Sequence, residues 1–182
     1  MARKSLKQAP PASAADGCET RDRSPLRAVN SFDFRPCEVE WLNILRTMLA
    51  RQADPSDEAW AALEARAGRQ FGHQAGPLIL GATSGLIRAL KLESQKPFYF
   101  VSPDCANCRE SVCEDEFLVL CAVVSCRCGD VEEMQLAIDQ LTQPGRGVRT
   151  VQAVQSLGAL MNMVPQPSAA LWQGANASRV LH

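Results

Sequence analysis

Apolar residues recur at three- and four-residue intervals through most of this chain, and that spacing predicts a helical protein. Residues 38–51 place Trp41, Leu42, Leu45, Met48 and Leu49 on one stripe. Asp54-Pro55-Ser56-Asp57-Glu58 then reads as a helix start, with a capping residue, a proline for the first turn and acids at the positive end of the dipole. Trp60 and Leu63 are expected to face inward from this second helix, and Gly68 to stop it. A third helix opens at Gly76-Pro77 and carries Leu78, Ile79, Ala82, Leu86, Ile87 and Leu90 on one broad face. Its small-residue patch, Gly81-Ala82-Thr83-Ser84-Gly85, suits the close approach of another helix.

The centre of the chain is harder to read. Phe117 to Val124 are eight apolar residues in a row, which suits a buried helix or a buried strand. Glu114, Asp115 and Glu116 ahead of the run and Gly129 behind it favour the helix. Asp130-x-x-Glu133 forms a capping box for the next helix, whose stripe is Val131, Met134, Ile138 and Leu141. After the turn at Gln143-Pro144-Gly145-Arg146-Gly147, residues 150–163 complete the set with Val151, Val154, Leu157, Leu160 and Met161. The expected fold is therefore mainly α: a compact bundle of about six helices. An irregular loop carrying Cys105-x-x-Cys108 lies between the third and fourth.

Flanking segments differ from this body. Residues 1–36 hold seven Lys/Arg against four acids with little apolar periodicity, and read as a disordered basic arm. Residues 37–164 form the helical domain, and residues 165–182, rich in Pro, Ala, Ser and Gln around Trp172, a loose tail. The near-neutral net charge of −1 excludes a globally basic nucleic-acid coat. From Asp104 to Asp139 nine acids face only Arg109 and Arg127, and this acidity reads as a solvated face. The opening Met-Ala-Arg-Lys-Ser-Leu-Lys lacks the apolar core of a secretory signal, and no stretch is long and apolar enough for a membrane helix. The cytoplasm, a reducing compartment, is the expected setting.

Six of the eight cysteines fall between Cys105 and Cys128. Two cysteines two residues apart in a turn can aim both sulfurs at one zinc ion at about 2.3 Å. Cys105 and Cys108 are thus the leading candidate ligands, with Cys113 third. If residues 114–127 are helical, Cys121 lies about 12 Å along the axis from Cys113 and cannot share its ion. A fourth ligand would then come from His73, Cys37 or water, while Cys121 and Cys128 would be small buried hydrophobes and Cys126 has no role. If the stretch is strand, Cys126 and Cys128 can face Cys105 and Cys108 across 17 intervening residues, close to zinc-ribbon spacing.

No serine-nucleophile elbow, His-Glu-x-x-His, dinucleotide fingerprint or phosphate loop is present, so no catalytic residues are assigned. The expectation is a small non-catalytic helical module, stabilised by cysteine-bound zinc, that acts as an adaptor or regulator through contacts with another protein. One alternative is a DNA-binding regulator using the basic arm with Arg88, Lys91 and Lys96. The other is a thiol or iron–sulfur redox protein.

Overall fold

A computed structural model describes residues 26–51, 56–106 and 108–164. It contains six helices: α1 (Pro36–Ala50), α2 (Asp57–Phe71), α3 (Ala75–Glu93), α4 (Glu114–Cys128), α5 (Val131–Leu141) and α6 (Val148–Met163). The Cys105–Cys108 loop lies between α3 and α4, as the spacing of apolar residues predicts. The apolar run at 117–124 is helical, which removes the strand reading. Acids occupy the first turn of α4, and Gly129 ends it at φ +79°, a left-handed position that its missing Cβ tolerates. Its N–H bonds back to the carbonyls of Cys126 and Ser125. Asp130 caps α5 by accepting the Glu133 N–H at 3.0 Å.

Helix α1 buries more of its side chains than any other described helix and packs on α2, α3 and α4. Trp41, Leu42, Ile44 and Leu45 are fully buried there, against a core that includes Ile79, Leu80 and Leu86 of α3, Leu120 of α4, Ile138 of α5 and Leu157 of α6. A polar link joins α1 to α3 through this core: the Trp41 indole N–H donates to the Thr83 hydroxyl at 2.9 Å, which itself donates to the Ile79 carbonyl at 2.7 Å. Burying the indole is tolerable because its one donor is satisfied.

Several local expectations are corrected. Helix α2 runs past Gly68 and stops at Phe71, ahead of Gly72. Its cap is Ser56, whose hydroxyl accepts from Ala59; Asp54 lies outside the described residues. The buried stripe of α2 is Ala59, Leu63, Ala67 and Phe71, one residue every four. Trp60 is one residue on from Ala59, 100° further round the first turn of the helix. It is 45% exposed, and its indole donates to Glu64 at 2.9 Å. Leu78 and Val131 are also exposed, both within the first turn of a helix.

The last part of the supposed arm belongs to the fold. Residues Arg27–Ala28 (β1) pair antiparallel with Ser111–Val112 (β2), aligning Arg27 with Val112 and Ala28 with Ser111. Val29 is buried, and Phe32 and Phe34 pack on Phe117 of α4 with ring centroids 4.6 and 6.3 Å away. The Arg27 guanidinium sits 5.4 Å above the same ring. Three apolar side chains in so short a segment leave no periodic signal that would separate them from the arm. Residues 1–25 and 165–182, which include the rest of the arm and the whole tail, lie outside the described residues.

Candidate functional site: the cysteine loop and its buried ion pair

The loop from Pro97 to Cys113 is held by side chains that come from the helices beneath it. Arg46 of α1 and Glu116 of α4 form an ion pair whose side chains are 1% and 0% exposed. The Arg46 Nε donates to Glu116 Oε1 at 2.6 Å, and Nη2 donates to Oε2 at 2.9 Å, a two-point pairing. The same guanidinium reaches the loop, with Nη1 donating to the Arg109 carbonyl at 2.9 Å and Nη2 to the Ser111 carbonyl at 2.5 Å. Glu116 in turn accepts the Val101 N–H at 2.9 Å and the Cys113 N–H at 3.0 Å. Two charges thus satisfy four backbone groups on both limbs of the loop.

Asp115 adds a second clamp. Its carboxylate, 3% exposed, accepts the Tyr99 N–H at 2.9 Å and pairs with Lys96 at 2.8 Å. That hydrogen bond to Asp115 holds the Lys96 pKa above the usual lysine value. The acids at 115 and 116 are therefore not part of a solvated face: they are buried and bonded to loop amides. Phe98 completes the anchorage by entering the core at 4% exposure, while Tyr99 is half exposed.

Within this frame the candidate ligands separate. Cys108 and Cys113 are buried in a small apolar cluster with Val101, against which Cys105 and Leu26 pack. A turn links the first pair: the Cys108 N–H bonds to the Cys105 carbonyl at 3.2 Å, and the Arg109 N–H to the same carbonyl at 3.0 Å. Cys113 is the residue before α4, and its thiol donates to the Tyr99 carbonyl at 3.2 Å. Burial, followed by the nearby Glu116 charge, pushes the Cys113 thiol up to about 12. Among the described residues no three His, Cys, Asp or Glu side chains are grouped so as to hold a metal ion.

The secondary candidates lie elsewhere. Cys126 and Cys128 are in the last turn of α4, so the two-knuckle arrangement across a ribbon does not form. Cys126 packs on Gly158 of α6, where an added Cβ would stand 2.9 Å from its sulfur and force that sulfur to shift. Cys128 is exposed rather than buried. Cys121 is half-buried against the core, and burial raises its thiol to about 11. Cys37 is buried in the core, and His73 occupies the turn between α2 and α3, with its ring against Gly68.

Sequence reading missed Arg46, Glu116 and the matching pair at the other end of α4. There Arg127 bonds to Glu38 of α1, both side chains nearly inaccessible, and donates to Asn162 of α6 at 3.1 Å. One signal was available: Arg46 is the one charged residue between Glu40 and Arg51, in a largely apolar helix where a buried charge needs a partner. The partner itself lies 70 residues away and is not legible from spacing. Comparison with known proteins returns no matching family model, no similar curated protein and no similar solved structure.

Glu116→Gln should lower stability by about 3–5 kcal/mol in urea unfolding, because Arg46 keeps a buried charge without its counterion. The apolar double replacement Arg46→Met/Glu116→Leu should not restore wild-type stability, since it strips partners from Val101, Arg109, Ser111 and Cys113. Wild-type stability in the double variant would show that the loop does not need the pair. For Cys113 the native thiol holds its proton more tightly than the unfolded one. Its contribution is complete below the ordinary value of 9.0 and is lost as pH climbs toward about 12. Melting temperature in that range should therefore fall less steeply in Cys113→Ser, which keeps a donor for the Tyr99 carbonyl but does not titrate there. Parallel pH profiles would contradict the assignment.

Proposed function

We propose that this protein is a small helical adaptor that works by presenting a preformed surface to another protein. The coarse description is direct: a mainly helical module in which no described helix is long and apolar enough to cross a membrane. The observation that carries the finer reading is the outer face of α3. Leu78 and Leu92 are 55% and 61% exposed there. Between them Gly81 and Gly85 are also exposed, and a Cβ built on either would meet nothing within 4 Å. Leu78, Gly81, Gly85, Arg88 and Leu92 follow one another at three- and four-residue steps, so one helix face offers apolar ends around a low centre. Such a face suits a partner helix that packs closely at the glycines.

In this reading the brace that sequence analysis assigns to zinc is supplied by Arg46, Glu116 and Asp115. The DNA-binding alternative has less support. It relies on Arg88, Lys91 and Lys96, and Lys96 is engaged by the buried Asp115 carboxylate.

Leu78→Glu/Leu92→Glu should leave the melting temperature within about a degree of wild type, because exposed positions contribute little to stability. The same variant should lose the proteins that wild type recovers in affinity capture. Equal recovery by both would sink the α3 surface. Exhaustive treatment with a zinc chelator, followed by thermal unfolding and metal analysis, separates the two braces. The melting temperature should hold; a fall of more than a few degrees with release of zinc would assign the brace to the metal.

A further inference from the structure

We propose that Cys105 and Cys108 form a reversible dithiol–disulfide pair, a thiol-oxidation site set on a rigid frame. This goes beyond the adaptor reading and does not depend on it. The turn closed by the Cys108 N–H on the Cys105 carbonyl at 3.2 Å brings the two residues within the span of a hydrogen-bonded turn. Cα separations in such turns, under about 7 Å, overlap those that a disulfide requires. Cys108 is buried in a small apolar cluster and Cys105 packs against that same cluster.

Exposure orders the chemistry. Cys105 is half-buried and accessible, whereas Cys108 is 7% exposed. With a small-molecule disulfide such as oxidised glutathione, the Cys105 thiolate attacks one glutathione sulfur. This releases a first glutathione thiolate and leaves a mixed disulfide. Cys108 then loses its proton and attacks the Cys105 sulfur, releasing the second glutathione. The two protein thiols are oxidised to one disulfide, and one glutathione disulfide is reduced to two thiols. Cys113 stands apart from this exchange. Its thiol is buried and donates to the Tyr99 carbonyl, and its amide is held by Glu116.

The frame keeps the turn in place through the cycle. Arg46 holds the carbonyls of Arg109 and Ser111, immediately after the pair, and Glu116 holds Val101 before it. Both limbs of the loop are thus fixed to the bundle, and the proposed bond closes within the turn between them.

The test is equilibration of the full chain in glutathione redox buffers, acid trapping, alkylation and peptide mass mapping. Tryptic cleavage after Lys91 and Arg109 places Cys105 and Cys108 on one peptide and Cys113 on the next. The expected result is a Leu92–Arg109 peptide lighter by two hydrogen atoms, restored by reduced glutathione and retained in Cys113→Ser. Cys108→Ser should stop at the mixed disulfide on Cys105, carrying one bound glutathione. Any of three results would overturn the proposal: wild type halting at that mixed disulfide, Cys113 appearing in the oxidised bond, or Cys105 and Cys108 both remaining thiols while Cys128 reacts.

Discussion

The buried pairing of Arg46 with Glu116 is the constraint on which the rest of the structure depends. Removing two full charges from water costs several kcal/mol each, and their mutual attraction recovers this only when every remaining donor and acceptor is used. Here they are used on the loop. The guanidinium takes two carbonyls and the carboxylate takes two amides, and those four groups belong to residues 101, 109, 111 and 113. A loop with almost no regular structure would otherwise leave them unpaired against an apolar core. The pair therefore does for the loop what a sheet or a helix does elsewhere. It also joins α1 to α4, so the loop and the bundle share one polar joint.

The N-terminus of α4 concentrates these tasks in three consecutive acids. Their position favours the helix dipole, which is reason enough to find acids there. The tertiary structure adds a second use, since Asp115 and Glu116 turn inward and bind loop amides while Glu114 stays at the surface. At the far end of α4, Arg127 reaches Glu38 and Asn162, so the helix is tied at both ends to its neighbours. Gly158 lets α6 approach the intervening surface at Cys126. Cysteine at that position acts as a small side chain in a tight interface, a role its chemistry does not announce.

Much of the fold is legible in the sequence because helices of a bundle record their buried face as a period. Trp41, Leu42 and Leu45, or Val154, Leu157 and Met161, need no partner to be recognised as one stripe. The helix over 114–128 is readable for a different reason: its run is apolar all round, but the acids before it and Gly129 after it mark its ends. A single residue is less legible than a stripe. Trp60 is large and aromatic, yet it stands one position off the line of Ala59, Leu63 and Ala67. Phe32 and Phe34 are not legible in the sequence, because a short packed strap has no period to detect.

The sequence by itself determined the helical class, the order of the elements, the caps at Asp130 and Gly129, and the place of the Cys105–Cys108 turn between α3 and α4. These are local properties, carried by residues within a turn or two of each other. Only the tertiary structure decided which charges are buried, that the last third of the basic arm closes a strand pair, and which cysteines share a cluster. The buried charge pairs and the strand pair depend on groups far apart in the chain, 70 residues in the case of Arg46 and Glu116. An arginine in a helix looks the same in sequence whether it faces water or a carboxylate in the core. The difference lies in the dielectric around it, and that exists only after the chain has folded.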